Sequence, residues 1–115
     1  MADPSVETTT SGRCLVARVS GETDYLTDPV FRLQFKDLIA RGERFIVLDL
    51  SGVSFCDSAG LNVLLGAWRQ ADAGGAVLVL ACVPEPLRRI LEMTGVDHVP
   101  RVFDTVTDAE AVFGG

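Results

Sequence analysis

The sequence predicts an α/β fold with a mixed, mostly parallel sheet, and three observations support this class. Apolar runs of strand length alternate with amphipathic runs of helix length along the chain. The runs Phe45–Leu50 and Ala76–Cys82 are nearly continuous, which is typical of strands covered on both faces. A length of 115 residues fits a single core. We therefore predict one domain over residues 1–115, with residues 1–4 flexible.

The strands are predicted from β-prone runs bounded by turn residues. A short edge strand is expected around Val6–Thr10, and the next strand, Cys14–Val19, stops at Ser20-Gly21. The two continuous apolar runs follow, and Pro100–Phe103 forms a short last strand. A largely parallel sheet with antiparallel edges accommodates this order.

Four helices are predicted from start and stop signals. Thr27-Asp28-Pro29 begins the first helix with a capping side chain and a first-turn proline, and Gly42 ends it. The others are expected from Ser58 to the residue before Gly74-Gly75, from Pro84-Glu85-Pro86 to Gly95, and from a capping box at Thr107–Glu110 to Phe113. Between Phe45–Leu50 and Ala76–Cys82, the second helix makes a right-handed βαβ crossover.

The apolar faces of the first three helices are predicted to form much of the core. They comprise Phe31, Phe35, Leu38 and Ile39, then Leu61, Leu64, Leu65 and Trp68, and finally Leu87, Ile90 and Leu91. The exposed face of the third helix is expected to carry Arg88 and Arg89.

Charge argues against nucleic acid and membrane partners. The net charge is −6, and the cations are nine arginines and Lys36, spread singly except for Arg88-Arg89. A duplex or an anionic membrane requires a cationic face. No apolar run reaches the roughly 18–20 residues of a membrane-spanning helix, and the N-terminus lacks the pattern of a secretory signal. We therefore expect a cytoplasmic protein.

The cysteines do not predict a metal site or a cofactor. Cys14, Cys56 and Cys82 are far apart in sequence, and His98 is the only histidine. Structural zinc sites need four such ligands, usually with closely spaced pairs. The three cysteines are therefore interpreted as small buried apolar side chains in a reducing compartment.

The candidate functional residues are concentrated in the segment Leu50–Leu61, which links a buried strand to the second helix. In open α/β sheets, function collects at the carboxyl ends of strands and the amino ends of the following helices. Ser58 is expected at or beside the helix N-cap, where free N–H groups and the helix dipole can hold a phosphate. Capping alone also explains a serine there, and a favourable charge at the helix start explains Asp57.

Two other features of the sequence bear on this site. Cys56-x-Ser58-x-Gly60 is a near match to the nucleophile elbow of hydrolases, but its first glycine is replaced and His98 is the only available base. No carboxylate stands out as the group that would orient that base. The acidic segment Gly21–Tyr25 follows a strand and could face the Ser58 turn, although a solvated acidic turn also accounts for it.

The sequence resembles the anti-anti-sigma factors, also called anti-sigma factor antagonists, which are bacterial single-domain members of the STAS domain family. The resemblance covers most of the chain, from about Cys14 to Phe113. Four stretches carry it in order: Val19–Asp24, with a G-E-x-D turn; Ile46–Phe55, the central strand with its following loop; Asp57–Leu61, the D-S-x-G-L signature; and Arg88–Gly95.

This resemblance implies a phosphorylation switch in transcription regulation. In the family, the serine after the motif aspartate is phosphorylated by an anti-sigma factor that is also a serine kinase. The unphosphorylated form binds that factor and frees the sigma factor; phosphorylation abolishes binding, and a serine phosphatase restores it. Carried over by position, Ser58 is the phospho-acceptor. The implied partner-binding residues are Asp24, Asp57, Ser58, Ala59, Gly60, Leu61 and Asn62.

Two departures from the family pattern affect this assignment. Ala59 stands where a second hydroxyl is usual, so Ser58 is the only hydroxyl of the motif. Asn62 stands where a small glycine is common, which can alter the choice of partner.

The leading hypothesis is a non-enzymatic module switched by partner exchange. The alternatives are a small serine hydrolase using Ser58 and His98, and a constitutive binding or nucleotide-sensing module with the same fold.

Overall fold

The computed structural model describes residues 5–23, 26–94 and 100–113, and it contains the predicted order of strands and helices. The elements are β1 (Ser5–Ser11), β2 (Cys14–Thr23), α1 (Asp28–Ala40), β3 (Phe45–Cys56), α2 (Ser58–Ala73), β4 (Val77–Ala81), α3 (Glu85–Thr94), β5 (Val102–Phe103) and α4 (Val106–Val112). The side chains of Thr23, Phe55, Ser58 and Thr94 lie outside the described part of the chain, as does the predicted flexibility of residues 1–4.

The sheet has the strand order β1-β2-β3-β4-β5. Strand β1 is antiparallel to β2, whereas β2, β3, β4 and β5 run parallel to their neighbours. The predicted mixed, mostly parallel sheet is therefore confirmed. Its antiparallel edge is β1 alone, because β5 is parallel to β4.

Strand β3 lies in the middle of the sheet and is buried on both faces. Ile46, Leu48 and Leu50 belong to the main core, together with buried side chains of α1, α2 and α3. Val47 points to the other face, where a smaller core forms with Ala109 of α4. This two-sided burial explains why the β3 sequence is continuously apolar instead of alternating.

Strands β2 and β3 both extend further than the sequence predicts. Strand β3 continues past Leu50 to Cys56, and β2 continues through Ser20-Gly21 to Thr23. The two extensions pair with each other, with Thr23 opposite Cys56, after register shifts along the ladder. The interpretation of these residues as loops was wrong, because pairing between two strands overrides the weak strand propensity of serine and glycine.

A close approach between β2 and β3 requires glycine at position 52. A Cβ atom on Gly52 would lie 2.6 Å from Ser20 Oγ and 3.0 Å from the Val19 carbonyl oxygen. Real Cβ atoms essentially never come within 3.0 Å of another heavy atom in this way. Gly52 therefore allows the extended part of β3 to pack against β2.

Two predicted helix starts differ in their capping contacts. The capping residue of α4 is Thr105, whose hydroxyl accepts a hydrogen bond from Asp108 N (3.0 Å). The predicted cap, Thr107, already lies inside this helix. Before α1, the Thr27 hydroxyl does not cap the helix but donates to the Glu22 carbonyl (2.8 Å). Before α4 a different hydroxyl from the predicted one therefore makes the cap, and before α1 the hydroxyl is used in a contact with β2.

Most of the predicted core positions are buried, with informative exceptions. Phe31, Phe35 and Leu38 are buried, as are Leu64, Leu65, Leu87 and Leu91, whereas Ile39, Leu61 and Trp68 are partly buried. Ile90 is 38% exposed, because α3 turns only Leu87 and Leu91, four residues apart, fully into the core. Cys14 is buried as expected, but Cys56 and Cys82 are only partly buried.

Candidate functional site

The candidate site is the turn where β3 ends and α2 begins. Strand β3 ends at Cys56, Asp57 makes the turn, and Ser58 is the first residue of α2. The end of β2 lies beside it, since Thr23 pairs with Cys56. The structure thus brings the two predicted segments to the same edge of the sheet. Asp24 and Tyr25 themselves lie outside the described residues.

Asp57 is the N-cap of α2. Its backbone is extended, and its Oδ1 atom accepts a hydrogen bond from Gly60 N (2.9 Å). Its carbonyl oxygen accepts from Leu61 N (2.9 Å), which is the first hydrogen bond of the helix. The cap is therefore filled by the aspartate, and Ser58 lies next to it. Helix capping does not explain why residue 58 is a serine.

The other residues of the motif differ in accessibility. Asn62 is exposed, Ala59 and Leu61 are partly exposed, and Gly60 is buried. Leu61 also packs against the main core. A partner can therefore contact the side chains of Ala59, Leu61 and Asn62. Gly60 is buried and has no side chain to present. The Ser58 side chain lies outside the described residues.

The electrostatics of this turn are nearly balanced for a phosphate. The start of α2 carries the positive end of the helix dipole, which stabilises an anion by about 0.3–1 kcal/mol. Asp57 already uses part of this capacity, because its carboxylate accepts the Gly60 N–H. A phosphate on Ser58 would add about −1.5 to −2 charges beside that carboxylate. The helix dipole and the Asp57 carboxylate would therefore act on such a phosphate with opposite signs.

The two partly buried thiols are Cys56, at the end of β3, and Cys82, just after β4. Cys56 Sγ donates a weak hydrogen bond to the Asp57 carbonyl oxygen (3.6 Å). Burial, followed by the negative charge of Asp49, raises the pKa of the Cys82 thiol, so it stays protonated at neutral pH. His98, the base that the hydrolase hypothesis requires, lies outside the described residues.

Sequence reasoning missed how the site is supported. The Ser58 turn stands on the paired extensions of β2 and β3, which were interpreted as loops. The alternation of exposed Ser54 with buried Val53 is a weak strand signal that could have indicated the extension.

Comparison with known proteins identifies the family. The sheet order and the helices define a small α/β domain, and a family model of the STAS domain matches residues 5–109. The chain belongs to the STAS domain family. It is 33% identical over 96 residues to the anti-sigma F factor antagonist of Paenibacillus polymyxa, covering 83% of this chain and 82% of that one. It is 29% identical over 98 residues to the anti-sigma-B factor antagonist of Staphylococcus aureus, covering 85% and 91% of the two chains.

Solved structures share the fold. An anti-sigma factor antagonist from Mycobacterium paratuberculosis superposes with a TM-score of 0.85 at 24% identity, covering 98% of this chain and 96% of that one. The Bacillus anti-sigma factor antagonist SpoIIAA is similar in its unphosphorylated form, with a TM-score of 0.70, 22% identity and 96% coverage of both chains. Its phosphorylated form gives a TM-score of 0.73 at 22% identity, covering 95% and 99%.

Within residues 5–23, 26–94 and 100–113, no helix combines the length and apolar character that crossing a membrane requires.

Proposed function

We propose that this protein is an anti-sigma factor antagonist controlled by phosphorylation of Ser58. The unphosphorylated chain binds a cognate anti-sigma factor, which is also a serine kinase, and thereby releases the sigma factor. Phosphorylation abolishes this binding, and a serine phosphatase acting on phospho-Ser58 restores it. The protein acts in the cytoplasm as a binding module and not as an enzyme.

The observation that carries the proposal is the position of Ser58 relative to its cap. Ser58 follows the Asp57 cap at the first position of α2, so its hydroxyl is not needed to cap the helix. Two relatives that cover more than four-fifths of this chain are named as antagonists of anti-sigma factors. SpoIIAA, which has the same fold, is known in unphosphorylated and phosphorylated forms.

The proposed partner surface is the turn at the start of α2. It comprises Asp57, Ser58, Ala59, Gly60, Leu61 and Asn62, together with Asp24, which follows β2 in the sequence. A phosphate placed there would meet the partner as bulk and as a desolvated negative charge. Burying an unpaired charge at an interface costs several kcal/mol, so a local change can break the complex.

The first experiment identifies the phosphorylated residue. The cognate anti-sigma factor is recovered from native lysate on immobilised Ser58→Ala, with Ser58→Asp as the parallel bait. The purified factor and ATP are then incubated with the chain, and the intact mass is measured. We expect a gain of one phosphoryl group that is lost in Ser58→Ala. The same gain is retained in Ser54→Ala, a control at an exposed serine of β3.

Several results would contradict the proposal. An undiminished mass gain in Ser58→Ala would place the phosphate elsewhere. A lack of any gain, with a kinase that is active on another substrate, would favour a constitutive binding module. Ester hydrolysis that is lost in both Ser58→Ala and His98→Ala would favour the hydrolase.

A further inference from the structure

We propose that the side-chain amide of Asn62 donates a hydrogen bond to the phosphate on Ser58 and holds that phosphate over the first turn of α2. The inference rests on the proposed function and deepens it, because it names a residue that positions the phosphorylated state. In this state the partner has left, so the Asn62 side chain is free to contact the phosphate of its own chain.

Asn62 lies one helical turn after Ser58 on the same side of α2. Residues four apart in a helix have Cβ atoms about 5–6 Å from each other. Helical side chains also lean toward the helix N-terminus, so each one covers the turn before its own Cα atom. Asn62 is exposed. Helix geometry therefore puts its amide within reach of a phosphate carried by residue 58.

Asn62 carries the first side-chain hydrogen-bond donor that follows Ser58 in α2. The three residues between them are Ala59, Gly60 and Leu61, which have no side-chain donor. Beyond Asn62, the next side-chain donor of α2 belongs to a tryptophan that is ten residues from Ser58, about 15 Å along the helix axis. Within α2, the amide of Asn62 is therefore the side-chain group that can donate to this phosphate.

The backbone at the start of α2 has lost one donor that a phosphate could otherwise use. Helix N-termini bind anions through their free N–H groups. Here Gly60 N donates to Asp57 Oδ1 (2.9 Å), so this N–H group is already occupied. A side-chain donor on the same surface compensates for the loss, and the amide of Asn62 has two N–H groups.

Negative groups predominate among the charged groups described around this turn. Asp57 precedes the phosphorylated residue, and Glu22 lies near the end of β2, which pairs with the end of β3. Arg32 of α1 is engaged in an ion pair with Asp28 (2.9 Å). Negative neighbours raise the second pKa of a phosphoserine, which is about 6, whereas a hydrogen bond to the charged form lowers it. The Asn62 contact therefore helps to keep the phosphate doubly charged at neutral pH, the form that most strongly resists burial in a partner.

The test uses the full-length chain with phosphoserine incorporated at residue 58 during translation, so that no kinase is needed. The second pKa of the phosphate is measured by a ³¹P NMR titration. We expect Asn62→Ala to raise this pKa by about 0.3–0.5 unit, because the hydrogen bond to the doubly charged phosphate is lost. Asn62→Asp should raise it further through charge repulsion. The matched control, Gln70→Ala, removes an exposed amide about three turns from residue 58 and should leave the pKa unchanged.

The side-chain amide signals provide a second and more direct measurement. The chain has only three side-chain carboxamides, in Gln34, Asn62 and Gln70, so each NH₂ signal can be assigned. Phosphoserine at residue 58 should shift an Asn62 NH₂ proton downfield, since the amide then donates to a charged acceptor. The signals of Gln34, on the side of α1 next to β1, and of Gln70 should stay in place.

Each alternative outcome is distinguishable. If Asn62→Ala leaves the pKa unchanged, or if the Asn62 NH₂ signals do not move, the proposal is overturned while the proposed function stands. If only Asn62→Asp changes the pKa, residue 62 is near the phosphate but its amide does not bind it, and the proposal is again wrong. Equal melting temperatures confirm that the variants fold. A failure of the kinase experiment described above contradicts the proposed function alone, because here the phosphoserine is installed without a kinase.

Discussion

Asp57 and Ser58 are adjacent, yet the structure gives them different roles. The Asp57 carboxylate accepts the Gly60 N–H and thereby fixes the start of α2. Ser58 begins the helix without having to cap it. The charge at residue 58 can therefore change without loss of the helix cap, because Asp57 makes that cap.

Replacement of Asp57 tests this division of roles. Asp57→Ala should lower the free energy of unfolding by about 1 kcal/mol, since the Gly60 N–H loses its acceptor. Asp57→Asn should remain close to the unaltered chain, because an amide oxygen also caps. Urea unfolding followed by circular dichroism measures both. Equal destabilisation by Ala and Asn would mean that charge, and not the hydrogen bond, is what matters at this position.

At the scale of single elements, the site depends on the extended end of β3. Residues from Ser51 to Cys56 continue the strand past its fully apolar part and pair with the end of β2. Gly52 is central to this pairing, since the close contact with Ser20 leaves no space for a Cβ atom. The turn before α2 is therefore supported by a paired strand and not by a loop.

Two glycine substitutions should have opposite effects on stability. Gly52→Ala should destabilise the protein by about 1–3 kcal/mol, because the added methyl group overpacks the β2–β3 contact. Gly66→Ala lies inside α2, where a Cβ atom meets nothing within 4 Å. This change should stabilise the protein by about 0.5–1 kcal/mol through helix propensity. Urea unfolding of the two variants distinguishes them, and a neutral Gly52→Ala would show that β2 and β3 separate easily.

At the scale of the whole molecule, the proposed switch must change binding strongly while leaving the fold unchanged. Moving a population from 99% bound to 1% bound takes about 5.5 kcal/mol of differential affinity. The dipole of α2 and the Asp57 charge act on a phosphate with opposite signs and similar size, so they leave little energy to rearrange the core. The difference in affinity between the two forms therefore has to arise at the interface with the partner, by steric exclusion and by burial of the phosphate charge.

The backbone amide spectra of the two forms test this interpretation. Phosphorylation of Ser58 should shift amide signals at the end of β3 and in the first turns of α1 and α2. The signals of α4, which packs on the other face of the sheet, should stay in place. Large shifts in α4 would indicate a rearrangement of the whole domain and would replace direct obstruction by long-range allostery.

The sequence allowed the type and order of the elements to be predicted, but not all their ends. The α2 boundaries, Ser58–Ala73, agree with the prediction because strong signals lie at both ends of that helix. The ends of β2 and β3 were missed because Ser20, Gly21 and Gly52 are poor strand formers in isolation. Their conformation depends on the partner strand, which is distant in sequence.

The sequence by itself determined the α/β class, the burial of β3 on both faces and the position of Ser58 at the start of a helix. These features follow from periodicity, composition and short motifs, which involve residues close together along the chain. Only the tertiary structure decided that Asp57 is the cap, that the β2 and β3 extensions pair, and that Leu26, Val30 and Leu33 stay outside the core. The strand pairing and the exposure of these side chains depend on which distant surfaces meet, and local sequence does not encode that choice. The cap is a local contact, but aspartate and serine are similarly good caps, so the sequence alone does not choose between them.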